Sequence, residues 1–408
     1  MLSRRIQNME PSVTVELTAK VAELKRKGVD IISFNVGEPD FHTPDNINEA
    51  AKKAIDQGFT KYTPVPGIAD LREAICKKLW ADNGVEYKPN EILVSTGAKQ
   101  ALVNAVLALC DPGDEVILPT PCWVSYIEMI KLAESTPVLV ETDEKNGFQL
   151  DINKIKSAIT NKTKAIILNT PNNPTGAVYT EESLRALGEL AVEHDFYILS
   201  DEVYEKLVYD DKKHISIASL SHEIKARTIT INGLSKAYAM TGWRLGYAAG
   251  PYKIIKGMDA LQGHMTSGTN SITQKAAIEA LQGPQETIEY MREKFDERRQ
   301  YLLNCLNSME GITCTNATGA FYLMPNVSKL FGKKYNGKIL ENSMDVAAFL
   351  LEEAYIAVVP GAAFEAPNNI RISYSNSLEN LTEGMERMEK ALNSLRESII
   401  TSCNKDVS

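Results

Sequence analysis

The stretch NGLSKAYAMTGWRLG, residues 232–246, places one lysine among small and apolar neighbours and one arginine eight residues after it. No carboxylate lies between Lys236 and Arg244. A carboxylate beside a lysine stabilises the ammonium form, whereas an amine that acts as a nucleophile or a base must be free of its extra proton. The residue types in this stretch therefore meet the requirements of a reactive lysine.

Four more groups of polar residues occur at or near predicted buried strands. They are STGAKQ (95–100), NTPNNPTG (169–176), SDEVYE (200–205) and the arginine of IRIS (370–373). Ligands of an open α/β sheet bind at the carboxyl ends of its strands, so these groups are expected to meet there. STGAKQ opens a helix, whose first backbone N–H groups suit an anion. Each group alone has an ordinary structural explanation, but together they predict a site.

The elements that must position these groups alternate along the chain. Short runs rich in β-branched residues predict strands buried on both faces. They cover residues 115–119, 136–141, 164–169, 196–200, 228–231 and 246–250. Amphipathic stretches lie between several of them, as at 180–195, where Thr180 can cap a helix with one apolar face. The alternation predicts an α/β fold with a mostly parallel sheet covered by helices on both sides.

The pattern changes after Gly283. A long charged amphipathic helix is predicted for residues 284–309, and a last helix from about Leu378. Short strands are expected within 320–325, 356–361 and 370–375. A chain of 408 residues is long enough for a large unit and a smaller one. We therefore expect an N-terminal arm with part of a small domain (1–47), a large domain (48–283), and a small domain with the linking helix (284–408).

Composition excludes several function classes. The formal charge of −9, with lysines and glutamates interleaved, argues against a nucleic-acid surface and indicates small-molecule partners. No run of about twenty apolar residues occurs, so we expect no membrane span and a cytoplasmic protein. The six cysteines include no C-x-x-C spacing, and the five histidines include no H-E-x-x-H spacing. We therefore expect free thiols and no metal site.

Taken together, these residues resemble the class I aminotransferases of fold type I, which use pyridoxal 5'-phosphate. The resemblance runs from PSVTV (11–15) to IRISYS (370–375), and GLSKAYAMTGWRLG is similar to that family's lysine signature. It implies a large domain with a mostly parallel seven-stranded sheet and a small α+β domain. It also implies that Lys236 carries the cofactor as a Schiff base and moves the substrate's Cα proton, while Arg244 binds the cofactor phosphate.

The same resemblance implies the contacts of the cofactor ring. Asp201 is similar to the family's aspartate that pairs with the pyridine nitrogen. Tyr204 and Asn173 are similar to the two groups that hydrogen-bond the ring's phenolic oxygen. Trp123 of PCWVSY matches the aromatic residue that stacks on the ring.

The phosphate contacts are also implied by the resemblance. The segment similar to the family's phosphate cup contains Gly97, Ala98 and Lys99. Many relatives have a serine three residues before the lysine, where this chain has Gly233. The hydroxyl of Ser95 or of Ser235 is the candidate replacement.

A partner subunit is implied as well. Tyr62 of TKYTPVPG matches a tyrosine that reaches the phosphate from the neighbouring subunit, and Asn270 is a weaker candidate of the same kind. Such an active site is shared between two chains. The resemblance therefore implies an obligate homodimer.

The predicted substrate follows from the residues expected to bind its α-carboxylate and its distal carboxylate. Arg371 resembles the arginine that clamps the α-carboxylate, with the backbone of Gly37 closing over it. PSVTV and GAKQAL are similar to a bacterial subgroup in which a lysine and a hydroxyl read the distal carboxylate, and Lys99 and Thr14 are the matching positions. Aspartate with 2-oxoglutarate is therefore the expected substrate pair. A lysine is a less specific reader than an arginine, so aromatic amino acids and prephenate stay open.

Two other activities compete with this interpretation. A carbon–sulfur β-lyase on the same fold would release pyruvate and ammonia from a cysteine conjugate instead of transferring an amino group. The sensor half of a transcription regulator would carry a basic DNA-binding segment, and the charge of −9 disfavours it.

Overall fold

The computed structural model describes residues 2–403, and the side chains of residues 2, 3 and 5–395. The strands are β1 (Ile32–Ser33), β2 (Ile92–Ser95), β3 (Glu115–Thr120), β4 (Thr136–Glu141), β5 (Thr163–Asn169), β6 (Tyr197–Asp201), β7 (Thr228–Gly233), β8 (Gly246–Ala249), β9 (Tyr322–Leu323), β10 (Lys334–Tyr335), β11 (Lys338–Ile339), β12 (Ile356–Ala357), β13 (Val359–Pro360) and β14 (Ile370–Ser373). The helices are α1 (Arg4–Gln7), α2 (Val13–Arg26), α3 (Asp45–Asp56), α4 (Ala69–Asn83), α5 (Ala98–Leu109), α6 (Ser125–Leu132), α7 (Ile152–Ala158), α8 (Glu181–Glu193), α9 (His222–Lys225), α10 (Tyr252–Met265), α11 (Ser271–Gln282), α12 (Glu286–Ser308), α13 (Ser343–Glu353) and α14 (Leu378–Cys403).

The main sheet has seven strands in the order β2-β8-β7-β6-β5-β3-β4. Strand β8 runs antiparallel to both of its neighbours, and the pairs from β7 to β4 are parallel. Each of the six apolar runs forms one of these strands. The prediction of a mostly parallel sheet is therefore confirmed.

Helix α8 shows how the sequence covers this sheet. The Thr180 hydroxyl caps it by accepting a hydrogen bond from the Ser183 backbone N–H at 3.2 Å. Leu184 and Leu187 are completely buried, because residues three and four apart share one face of a helix. The predicted cap and apolar face are both confirmed.

Strand β4 differs from its prediction. The run TPVLVE was expected to be buried on both faces, but Val140 alone is buried and Leu139 is 43% exposed. β4 is the last strand in the order, and it pairs with β3 alone among the described strands. The faces of the sheet are only partly covered at this end, since solvent reaches five of the six residues of β4, whereas β2 at the other end is buried at all four residues.

The chain after α12 forms a second, smaller group of elements. Strands β13, β14 and β9 make an antiparallel sheet, and β1 from the N-terminal region pairs in parallel with β12. One apolar core joins these elements to the 23-residue helix α12, with Phe34, Phe295, Phe321 and Tyr374 buried in it. The long helix and the last helix begin within two residues of their expected starts. The domain limits at residues 47 and 283 remain predictions.

Two expectations from composition concern the whole chain. Among the described residues, no helix is both long enough and apolar enough to cross a membrane. The five cysteines with described side chains are free thiols, and Cys403 lies outside the described side chains.

Candidate active site

The carboxyl ends of the central strands meet at one edge of the main sheet. Strands β5, β6 and β7 are parallel neighbours: Asn169 pairs with Asp201, and Asp201 pairs with Ile231, two residues before β7 ends at Gly233. Strand β2 ends at the same edge. Because β8 runs the other way, its first residue, Gly246, pairs there with Ser95 and with Gly233. The topology thus collects polar segments that are far apart in sequence.

A cavity of about 310 Å³ opens at this edge. The predicted site residues that line it are Gly37, Ala98, Lys99, Trp123, Asn173, Asp201, Tyr204, Ser235, Lys236 and Arg244. Its volume is typical of a pocket for a small molecule. Polar groups with different chemistry therefore converge on one space.

Lys236 has a neutral oxygen as its hydrogen-bond partner. Its Nζ donates to the backbone carbonyl of Gly37 at 2.6 Å. Burial, followed by the Arg371 cation, lowers the pKa of Lys236 to about 8, although Glu38 and Asp201 act in the opposite direction. Part of the Lys236 population is consequently a free amine near neutral pH.

Asp201 is buried and hydrogen-bonded at both carboxylate oxygens. The Tyr126 hydroxyl donates to Oδ2 at 2.7 Å, and the Val203 backbone N–H donates to Oδ1 at 3.3 Å. Burial raises the pKa of Asp201 to about 6, and these two hydrogen bonds limit the rise. The carboxylate can therefore be ionised at neutral pH despite its dry surroundings.

Arg371 is a buried cation whose hydrogen-bond partners, among the described residues, are neutral. Its Nη1 donates to Asn173 Oδ1 at 3.0 Å, and its Nη2 donates to the Asn35 carbonyl at 2.9 Å. Within the described part of the chain, the buried Nε has no hydrogen-bond partner. The guanidinium also lies 4.5 Å from the centre of the Tyr322 ring. A buried donor without an acceptor suits an anionic ligand.

The start of α5 and Arg244 come close together. A Cβ atom built on Gly97 would lie 2.6 Å from Arg244 Nη2, and one on Gly246 would meet the backbone of Ala98. Both positions therefore require glycine. Arg244 itself has a φ of +57°, which is uncommon for a residue with a side chain, and its Nη1 donates to the Thr241 carbonyl at 2.8 Å. The first N–H groups of α5 and a guanidinium thus form a cradle for an anion.

The two candidate hydroxyls for this cradle differ. Ser95 is completely buried, and its Oγ donates to Gln262 Oε1 at 2.6 Å. Ser235 lines the cavity. A Cβ on Gly233 would lie only 3.1 Å from the Leu245 carbonyl, so a side chain there would be crowded. The geometry favours Ser235 over Ser95.

Trp123 and Lys99 form one wall of the cavity. The Trp123 ring meets the Tyr126 ring edge to face, with centroids 5.3 Å apart. The Lys99 ammonium lies 4.6 Å from the centre of the Trp123 ring, and Ser125 Oγ is 3.4 Å from Lys99 Nζ. Burial, followed by the Arg244 cation, lowers the pKa of Lys99. A flexible cation thus stands at the cavity mouth.

Besides Gly97, Ser95 and Arg371, whose surroundings are described above, three more predicted site residues are not among those that line this cavity. The Thr14 hydroxyl is 3.0 Å from that of Ser12. The Tyr62 side chain is fully exposed. Asn270 caps α11 by accepting a hydrogen bond from the Thr273 N–H, and it lines an adjoining cleft that also includes Arg244. The roles of these residues in the site remain predictions.

Sequence reasoning missed several residues of the cavity. Tyr126, Tyr322, Glu38 and Asn169 line it as well, and the Tyr322 hydroxyl is 3.0 Å from that of Tyr204. Two of them had a signal in the sequence, because Glu38 adjoins Gly37 and Asn169 opens the loop of Asn173. The two tyrosines lie in apolar segments, where an aromatic residue is more often part of the core.

Comparison with known proteins assigns the chain to a family. The family model for aminotransferase class I and II matches residues 29–388. An aspartate aminotransferase of Geobacillus stearothermophilus is 49% identical over 389 residues, covering 95% of this chain and 98% of the relative. An aspartate/prephenate aminotransferase of Cereibacter sphaeroides is 48% identical over 391 residues, covering 95% and 98% of the two chains. The crystal structure of an aspartate aminotransferase from Rhizobium meliloti superimposes with a TM-score of 0.93 at 42% identity, covering 96% of this chain and 99% of that one. The chain belongs to the class I and II aminotransferase family and is an aminotransferase.

Proposed function

We propose that this aminotransferase uses pyridoxal 5'-phosphate and moves an amino group between L-aspartate and 2-oxoglutarate, giving oxaloacetate and L-glutamate. The observation that carries the proposal is the placement of Lys236. Its amine lies in a cavity with Asp201, hydrogen-bonded to a carbonyl instead of a carboxylate. The names of the relatives from Geobacillus stearothermophilus and Rhizobium meliloti support aspartate as the amino acid.

The residues present fit this cofactor at both of its charged ends. The first N–H groups of α5, Arg244 and Ser235 would hold the phosphate, and Asp201 would face the ring nitrogen. The glycine at position 97 leaves the space that a Cβ would fill beside Arg244. When bound, pyridoxal 5'-phosphate supplies an aldehyde for the substrate amine and a ring that withdraws electrons from Cα.

Lys236 would be the group that moves the proton. With a pKa lowered to about 8, first by burial and then by Arg371, Nζ can accept the substrate's Cα proton and return it near neutral pH. The Gly37 carbonyl at 2.6 Å holds Nζ inside the cavity. Tyr204 and Asn173 would hydrogen-bond the phenolic oxygen of the bound cofactor, and Trp123 would contact its ring.

The two carboxylates of the substrate would be bound by different cationic side chains. Arg371 would bind the α-carboxylate, because its Nε has no hydrogen-bond partner among the described residues and each Nη is given only one hydrogen bond. Lys99 lies over the Trp123 ring, and from there it would attract the distal carboxylate. Thr14 would add a hydroxyl if the N-terminal region closes on the substrate.

A partner chain would complete the site. The Tyr62 side chain is fully exposed, more so than any other large hydrophobic side chain among the described residues. We propose that it contacts the cofactor phosphate of a second copy of the chain, with Asn270 beside it, in a homodimer with shared active sites. Sedimentation or light scattering would detect the dimer, and mixing inactive Tyr62→Ala and Lys236→Ala chains should restore some activity if sites are shared.

A second candidate substrate is prephenate or an aromatic amino acid. It is favoured by the name of the relative from Cereibacter sphaeroides, an aspartate/prephenate aminotransferase, and by the choice of a lysine, Lys99, at the position expected to bind the distal group. Because an ammonium recognises charge without fixed geometry, it can accept more than one kind of distal group.

The test is a substrate comparison with purified, cofactor-loaded enzyme. We expect the highest kcat/KM for L-aspartate with 2-oxoglutarate, measured by formation of oxaloacetate. Higher values for prephenate with glutamate, or for phenylalanine, would replace aspartate as the substrate. Release of pyruvate and ammonia from a cysteine conjugate, without any 2-oxo acid, would show a β-lyase activity instead.

A further inference from the structure

Tyr126 contacts two of the groups that surround the cavity centre. Its hydroxyl donates to Asp201 Oδ2 at 2.7 Å, and its ring packs edge to face against Trp123. The side chain is 2% exposed and stands near the start of α6, one turn beyond Trp123. Tyr126 thus contacts both Asp201 and Trp123, two of the residues that line the cavity.

The hydroxyl of Tyr126 is always a donor at physiological pH. Burial, followed by the nearby charge of Asp201, raises its pKa well above the ordinary value. The hydrogen bond therefore stabilises the ionised form of Asp201 and disfavours the protonated form. The other titratable groups that act on Asp201 are Lys236, which favours ionisation, and Glu202, which opposes it. Tyr204 is neutral at these pH values, because burial raises its pKa as well.

We propose that Tyr126 is a positioning residue that keeps Asp201 ionised, and that it thereby keeps a proton on the ring nitrogen of the bound cofactor. The second part rests on the proposed function, whereas the first concerns this chain alone. Asp201 and a ring nitrogen facing it would share one proton. Stabilising the carboxylate leaves that proton on the nitrogen, where the positive charge strengthens electron withdrawal.

The contact with Trp123 has a related consequence. An edge-to-face pair fixes the plane of one ring relative to the other. Since the hydrogen bond to Asp201 fixes the Tyr126 ring, the Trp123 ring is oriented by the same residue. Tyr126 therefore aligns the group that would hold the nitrogen with the group that would cover the ring.

The matched variants are Tyr126→Phe and Tyr209→Phe, each of which removes one buried hydroxyl. The Tyr209 hydroxyl donates to the Ala320 carbonyl at 2.6 Å, and Tyr209 does not line the cavity described above. Both variants should lose some thermal stability. A change that occurs in Tyr126→Phe alone is therefore not an effect of a lost buried hydrogen bond in general.

The first measurement uses the cofactor-free full-length chain with ¹³C-labelled aspartate carboxyl groups. The Asp201 signal is identified by its absence in Asp201→Asn, and its titration midpoint is followed by NMR. A hydrogen bond to a charged group is strong enough that its loss in Tyr126→Phe should raise the midpoint by about 1 to 2 pH units. Wild type and Tyr209→Phe should have the same titration midpoint for Asp201. Equal midpoints in all three chains would overturn the proposal.

The second measurement uses the loaded enzyme with ¹⁵N in the cofactor ring. Wild type and Tyr209→Phe should show the chemical shift of a protonated ring nitrogen, and Tyr126→Phe should move toward the unprotonated value. A protonated shift in Tyr126→Phe would overturn the second part of the inference. An unprotonated nitrogen in wild type, or no uptake of cofactor, would contradict the proposed function instead, and the carboxyl titration would still decide the role of Tyr126.

Discussion

The segment SDEVYE, at the end of β6, contributes residues to two regions of the molecule. In one region the charged groups are paired with opposite charges, and in the other they are hydrogen-bonded to neutral partners. Asp201 and Tyr204 line the cavity, whereas Glu202 and Glu205 belong to a network of paired charges behind it. In that network, Glu205 forms a buried salt bridge with Lys78. Burial alone would raise the pKa of Glu205, but Lys78 and His214 outweigh it and lower the pKa to about 2.

Two lysines make the difference explicit. Lys78 is 8% exposed and is bonded to a carboxylate, while Lys236 is bonded to the Gly37 carbonyl and has a pKa lowered to about 8 by burial and by Arg371. Two arginines show the same contrast. Arg299 is 1% exposed and pairs with Asp210 and Asp296, whereas Arg371 has amide and carbonyl partners. Cations paired with acids stabilise the fold, and cations without them remain available for ligands.

The network also explains a cluster that has the composition of a metal site. Glu202, Glu205 and His214 offer ligand atoms within 4.8 Å of one another. However, Glu202 already accepts hydrogen bonds from the hydroxyls of Ser200 and Ser216, and the Lys78 ammonium already neutralises Glu205. These contacts supply the positive charge and the donors that a cation would otherwise provide.

The largest expected effect is on Lys236. Lys236→Ala should lower kcat by about 10⁴-fold, because it removes the group that moves the Cα proton. The thermal midpoint should stay the same or rise, since a half-buried amine without a carboxylate hydrogen-bond partner is lost. The measurement is turnover with aspartate and 2-oxoglutarate beside a melting curve. Normal turnover would contradict the mechanism.

Lys78→Met should lower stability and leave catalysis unchanged, which is the opposite of the result expected for Lys236→Ala. The free energy of unfolding should fall by about 3 to 5 kcal/mol, because Glu205 is left buried without its cation. The kcat of the folded enzyme should not change. Denaturant unfolding of this variant and of the double variant Lys78→Met with Glu205→Leu checks the reason, since the double variant should recover much of the loss. No recovery would mean that packing, and not charge, is responsible.

Arg371→Lys should reduce kcat/KM for every amino acid, because a lysine cannot present the planar guanidinium group. The loss should correspond to an increase of about 2 to 3 kcal/mol in the activation free energy calculated from kcat/KM. The matched variant Arg299→Lys should lower stability and leave kcat/KM unchanged. Steady-state kinetics of both variants with aspartate and phenylalanine provide the comparison. An equal loss of kcat/KM in both would remove the distinction between the two arginines.

A smaller and selective effect is expected at Lys99. Lys99→Ala should lower kcat/KM for aspartate by about tenfold and leave phenylalanine nearly unaffected, because only aspartate has a distal carboxylate. Competition between the two substrates measures this ratio directly. Equal losses for both substrates would assign Lys99 to the cofactor and not to the substrate.

The smallest effect is a shift along the pH axis. A lysine whose pKa is lowered to about 8, by burial and by Arg371, is a free amine above that pH. Labelling of Lys236 by an amine reagent in the cofactor-free chain should therefore rise through pH 8 and then level off. Lys294 should continue to gain reactivity at higher pH, because its hydrogen bond to Glu297 raises its pKa. Mass spectrometry of the labelled peptides gives the extent of labelling of each lysine as a function of pH. The same pH dependence for Lys236 and Lys294 would contradict the lowered pKa of Lys236.

Much of the fold was predictable, because its strands and helices carry strong local patterns. The run AIIL in β5 is continuously apolar, and TITI in β7 consists of β-branched residues; both patterns are typical of strands, and every residue of β7 is buried. TPVLVE in β4 is also rich in apolar residues, yet solvent reaches five of its six residues. Strand order depends on contacts between distant segments, so the exposure of Leu139 could not be predicted from the run itself.

The candidate site was predictable only in part, for a related reason. Lys236 and Arg244 lie within one distinctive stretch, and Asp201 follows a clear strand. Tyr126 and Tyr322 reach the cavity from segments whose aromatic residues look like ordinary core. Their importance depends on hydroxyl contacts with Asp201 and Tyr204, which only the assembled sheet brings into range.

The central claim is that Lys236 and its neighbours carry out amino-group transfer with a bound cofactor. The most direct test is the absorption spectrum of the purified, loaded protein before and after addition of L-aspartate without any 2-oxo acid. We predict that the band of the aldehyde-derived form disappears, that the band of the amine form replaces it, and that 2-oxoglutarate restores the first spectrum. A protein that takes up no pyridoxal 5'-phosphate, or whose Lys236→Ala variant undergoes the same conversion at the same rate, would contradict the claim.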